Sequence, residues 1–261
     1  MNHSPIFYAF ILFASAMLGA LIYLLTHRQT SKGIKLLLSF SAAYLLALTM
    51  LHLIPEVYAA DVPKVGWFVI AGFLLQVILD FFSHGVEHGH AHTHDHKHTG
   101  TKFLFTVMAS LWIHAFIEGM PFGGVIEHVH AHGHDHGHEH AHHVHDHRDS
   151  LLLGIGLHKI TETLVFTALL MSTGMSKVRG LFWVVLFALV APLGAFAHYW
   201  MGLSGAVNLA KATPMVIGVL VGILLHVSTT ILFESEEGHK FNIYKFGSIL
   251  LGITSAALAA C

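Results

Sequence analysis

Cysteine is almost missing from this chain of 261 residues: Cys261 stands alone at the C-terminus. No intramolecular disulfide can form, and a multi-cysteine zinc site is excluded. Charge is equally scarce. Asp, Glu, Lys and Arg make up 11% of the residues, where a soluble domain is closer to about a quarter charged. The formal net charge is −2 with neutral histidine, which argues against a nucleic-acid partner, since phosphate binding rests on Lys and Arg. No Gly-x-x-x-x-Gly-Lys-[Ser/Thr] loop occurs, so the chain does not use ATP through a P-loop.

Apolar side chains and histidine fill the space. The chain is 54% hydrophobic with a mean hydropathy of +0.66, the balance of a multi-pass integral membrane protein. A helix needs about 20 apolar residues to span a bilayer. Eight stretches qualify: 5–25, 34–58, 65–83, 102–126, 151–172, 178–200, 213–233 and 243–260. They predict an all-α protein with eight transmembrane helices in one transmembrane domain over 1–261. The first lacks a small-residue cleavage site and is expected to be a retained span. Lys and Arg set the orientation. With the N-terminus outside, Arg28, Lys32, Lys35, Lys97, Lys102, Lys177, Arg179, Lys240 and Lys245 lie inside. Only Lys64, Arg148 and Lys211 lie outside, so both termini are expected outside. In a bacterium the host would be the inner membrane.

Eighteen of the 26 histidines fall in two tracts, "SHGVEHGHAHTHDHKHTG" and "EHVHAHGHDHGHEHAHHVHDHRD". Near-alternating His with Gly, Ala and Asp cannot build a core, so both read as flexible loops. The loop over 84–101 is expected in the cytoplasm, and that over 127–150 on the other side. Neutral imidazole is the commonest protein metal ligand, and a dense run offers many exchangeable sites for borderline dications. A solubilising or pH-buffering linker is the plainer alternative.

The sharper signal lies inside the spans. "IHAFIEG" pairs His114 with Glu118, and "LHKITET" pairs His158 with Glu162. Residues four apart share one helix face, so each helix can offer one nitrogen and one oxygen to the same point. At about 1.5 Å per residue, both pairs fall at matched depth in the bilayer. Together they would make an N₂O₂ cage for a divalent ion. The alternative is that each histidine hydrogen-bonds a neighbouring helix and each glutamate is protonated by desolvation. Lys159 lies one residue from His158 and could reach Glu118 or Glu162; otherwise it snorkels to the surface. Pro121 leaves the Ile117 carbonyl without its helical donor, and Gly119, Gly123 and Gly124 weaken the same helix, as at interrupted transporter helices or at an ordinary proline kink that only shapes packing. His52, Glu56, Asp80, His198 and His226 are candidate relay ligands, or ordinary interfacial and packing groups.

With these motifs quoted, the chain resembles the ZIP family of divalent metal transporters over nearly its whole length. The likeness rests on eight spans with outer termini, "HLIPE" in the second and "GFLL" in the third before a His-rich inner loop. It rests also on "HAFIEG", "HKITE" and, at 191–195, "APLGA". A long outer His tract is atypical of that family. The resemblance implies a 3+2+3 arrangement, in which spans one to three and six to eight form an inverted repeat around spans four and five. It implies metal movement into the cytoplasm, with His114, Glu118, His158 and Glu162 as the transport ligands. Some members hold a second metal using an Asn after the fourth-span His and a carboxylate at the position of Lys159. Here those positions are Ala115 and Lys159, so the expectation is one ion, with the lysine charge standing for the second.

The leading expectation is a secondary transporter importing a divalent metal, Zn²⁺ first among Zn²⁺, Fe²⁺, Mn²⁺, Co²⁺ and Cd²⁺, with no resident cofactor and no enzymatic activity. Its partners would be the metal and membrane lipid, and a homodimer is compatible with it. A metal exporter is the alternative, followed by an intramembrane zinc-dependent hydrolase with a metal-activated water.

Overall fold

The computed structural model describes residues 3–26, 32–60, 62–83, 101–123, 148–205, 208–233 and 242–259. Every regular element among them is helical. In chain order they are α1 (Pro5–Thr26), α2 (Lys32–Leu48), α3 (Ile54–Ala59), α4 (Val65–Ser83), α5 (Thr101–Gly119), α6 (Arg148–Ser172), α7 (Lys177–Leu203), α8 (Leu209–Phe233) and α9 (Ile243–Leu258). A π-helical turn, Thr49–Leu53, joins α2 to α3, and the three form one span of 28 residues. Among the described residues seven helices are therefore long and apolar enough to cross a membrane, and the protein is a multi-pass integral membrane protein. The expected eighth span, α9, has 16 residues. By helix rise that is about 24 Å, short of a ~30 Å hydrocarbon core.

Local sequence explains the boundaries. Pro55 lacks an N–H and its ring crowds the carbonyl of Leu51, so the helix widens there. The Ile54 N–H reaches back five residues to the Thr49 carbonyl, and "HLIPE" thus encodes a π turn containing His52. At the far end, the Asn242 side chain accepts from the backbone N–H groups of Tyr244 and Lys245, capping α9. The loop expected over 127–150 ends sooner, because α6 begins at Arg148. The His tracts themselves, 84–100 and 128–147, lie outside the described residues.

Packing is inverted relative to a soluble protein. Trp67, Phe81, Val178 and Tyr244 face outward, as lipid contact requires, while the polar side chains turn inward. α6 is the central rod: 83% of its apolar window is buried, against 22% for α4. It packs on α1, α2 and α7; α5 packs on α7 and α4; α4 lies along α8, and α2 along α9. Four of these contacts are backbone to backbone, and two of them flank the site. A Cβ at Gly19 would collide with the Ile160 carbonyl, and one at Gly194 with the Phe116 carbonyl. These glycines let α1 close on α6 and α7 close on α5, immediately beside the two histidines.

Candidate metal centre

α6 is buried on nearly all sides, while α5 turns His114 and Glu118 inward and leaves Ile113 facing out. Two buried hydroxyls of α6 are met by its own carbonyls: Thr161 donates to the His158 carbonyl and Thr167 to that of Thr163. His114, Glu118 and His158 are fully buried, and one ligand atom from each lies within 4.8 Å of the others. On α5 the one-turn spacing sets His114 Nε2 3.2 Å from Glu118 Oε1. The rings of His114 and His158 face edge to plane with centroids 6.1 Å apart. The matched depth read from the two motifs therefore brings the helices' polar faces together.

Glu162 stands apart from this trio. It is buried, but its Oε2 accepts from Lys159 Nζ at 2.6 Å. The same ammonium lies 2.5 Å from Glu118 Oε2 and 5.5 Å above the Phe187 ring. Lys159 is 1% exposed, so it bridges the two carboxylates and does not snorkel. The structure thus joins three of the four expected ligands directly and ties the fourth through the lysine.

The donor set fits a divalent borderline ion. Among the described residues, both ring nitrogens of His158 are buried without a hydrogen-bond partner, as is Oε1 of Glu162. Buried polar atoms are otherwise almost always satisfied, and a dication is a partner that His158, His114 and Glu118 can share. Two imidazoles and a carboxylate leave a fourth tetrahedral position for water or another carboxylate oxygen.

The remaining candidates lie elsewhere. His52 is half-buried in the π turn and Glu56 is exposed on α3. Asp80 is half-buried toward the end of α4. His226 meets Phe73 edge-on, with centroids 5.3 Å apart. His198 is buried and works as a tie: its Nδ1 donates to the Met120 carbonyl at 2.8 Å, and its Nε2 lies 3.4 Å from Thr213 Oγ1. Among the described residues none of these five joins the trio. The helix break after Glu118 is a tightening: α5 ends at Gly119 and continues as a 3₁₀ turn, Met120–Gly123. Gly124 lies outside the described residues.

One polar residue at the centre had escaped the motif reading. Gln76 of α4 is fully buried, and its Oε1 lies 3.0 Å from His114 Nδ1. Its signal was a lone amide in the apolar run "GFLLQVILD". No protein-family model and no curated protein matches the chain; what the geometry establishes is a helical, multi-span membrane protein with a buried His/Glu/His cluster able to bind a metal ion.

Proposed function

We propose that the protein is a secondary transporter that moves a divalent metal ion, Zn²⁺ foremost, into the cytoplasm through the site between α5 and α6. The observation that carries this reading is the trio of His114, Glu118 and His158, fully buried at mid-span with ligand atoms within 4.8 Å of one another. Ionisable groups inside spans mark ion paths by default. A transport role is favoured over an enzymatic one because both carboxylates share the Lys159 ammonium, which suits holding and releasing an ion better than general-base chemistry.

The finer architecture belongs to the same proposal: α9 as the eighth span, both termini outside, and an inverted repeat around α5 and α6. Its support is a set of paired contacts. Exchanging α1 with α7 and α6 with α5 turns the Gly19–Ile160 contact into the Gly194–Phe116 contact, and each carbonyl lies two residues past the site histidine of its helix. Exchanging α4 with α9 and α8 with α2 likewise turns Gly72 against Val219 into Gly252 against Phe40. This symmetry agrees with the resemblance to ZIP transporters.

The test is Zn²⁺ uptake by proteoliposomes holding protein of known orientation. His158→Ala and Glu118→Ala should each abolish most of the flux at matched protein abundance. Near-normal flux in either variant would sink the shared site. Outward flux would favour the exporter, and hydrolysis without flux would favour the hydrolase.

A further inference from the structure

The centre is held from outside its own two helices. With the Gln76 amide oxygen turned to the ring, 3.0 Å from His114 Nδ1, the contact is a hydrogen bond when the ring carries its hydrogen on Nδ1, because an amide oxygen only accepts. Nε2 is then a lone pair, and it points at Glu118 Oε1 from 3.2 Å. Two acceptors at that distance are favourable only with a shared cation, a proton or a metal, between them. Metal-ligating histidines usually donate their second N–H in this way, which fixes the tautomer and the ring direction.

Gln76 is itself well anchored. On one side α4 meets α8 backbone to backbone, Gly72 against the Val219 carbonyl and Gly222 against the Val69 carbonyl. On the other, Ser110 of α5 donates to the Leu79 carbonyl at 2.6 Å. Ser110 and Leu79 lie one turn along the same antiparallel seam as His114 and Gln76. The amide is thereby presented to the imidazole at a set height.

We infer that Gln76 is a positioning residue for the metal site, holding His114 as the Nδ1–H tautomer with Nε2 aimed at the ion. This rests on the metal reading of the trio. The competing account is that Gln76 and His114 merely satisfy each other in helix packing, as Ser110 and Leu79 do. Ser110 is therefore the natural comparator.

The experiment uses the full chain. Gln76→Leu should raise the half-saturating Zn²⁺ concentration for proteoliposome uptake by about 10–100-fold, the usual effect of losing such a partner. Gln76→Glu keeps an acceptor and should stay within about 3-fold of the parent, as should Ser110→Ala, which touches no ligand. ¹⁵N-histidine NMR of the metal-free protein, with His114 signals assigned by their loss in His114→Gln, should show the Nδ1–H tautomer. That preference should weaken in Gln76→Leu. An Nε2–H tautomer in the parent would overturn the inference, and so would equal effects from Gln76→Leu and Ser110→Ala or from Gln76→Leu and Gln76→Glu. If Gln76→Leu does not insert, the parent spectrum and Gln76→Glu still decide. If the parent carries no Zn²⁺, the transport reading fails, while the tautomer spectrum judges Gln76 on its own.

Discussion

Lys159 is the residue on which the chemistry of the centre turns. A buried ammonium between two glutamates lowers their mutual repulsion when no metal is bound, and it occupies the space a second ion would need. At ~4 Å and an effective dielectric near 20, a unit-charge contact is on the order of 4 kcal/mol, and a dication would feel about twice that. Relaxation and water reduce the figure but leave one ion favoured over two. Ala115 supplies no ligand atom to offset it. The expected stoichiometry is one tightly bound Zn²⁺ per chain, measured on protein lacking residues 84–98 and 128–147 so that tract histidines do not contribute. Lys159→Asp combined with Ala115→Asn should move it toward two. Two ions with Lys159 and Ala115 unchanged, both lost in Glu162→Ala, would refute the one-metal account.

Among the elements, the pairs α1–α6 and α5–α7 decide how tightly the site is built. Gly194 permits the Phe116 carbonyl to touch α7, and any side chain there must push the helices apart. Gly194→Ala should destabilise the detergent-solubilised protein by about 1–3 kcal/mol, the usual range for overpacking, and should depress Zn²⁺ flux with it. Gly247→Ala on α9, where an added Cβ meets nothing within 4 Å, should be neutral or stabilising by up to about 1 kcal/mol. Equal thermal shifts in the two variants would show that the close approach does not matter. Much of this level was legible beforehand. Runs of apolar residues mark spans because lipid admits little else, and His-x-x-x-Glu marks a shared face because a helix repeats every 3.6 residues. What stayed hidden depends on partners far apart in the chain. Nothing near Gln76 in sequence points to His114, 38 residues away. The reach of Lys159 to Glu118 or Glu162 was legible from its place beside His158, but not that it holds both at once. The π turn was half visible, since Pro55 announces a defect but not whether the helix kinks or widens. α9 is shorter than the apolar stretch that announced it, since Ala259 already caps the helix.

For the whole molecule, the Lys159 bridge has an electrical consequence. Where both glutamates are ionised, the lysine is protonated, the histidines are neutral and no proton sits between His114 and Glu118, the centre holds −1 without metal and +1 with a single dication. Under the transport reading, a membrane potential negative inside draws the loaded centre inward and drives the emptied one outward. Each unit charge that crosses 100 mV changes its energy by about 2.3 kcal/mol, so one voltage assists both halves of a cycle. A potassium diffusion potential, negative inside, should therefore accelerate Zn²⁺ uptake by proteoliposomes, and Lys159→Met, whose centre would swing from −2 to 0, should respond to voltage mainly in the return step. Uptake by the parent protein that ignores the potential would mean that the centre does not move through the field.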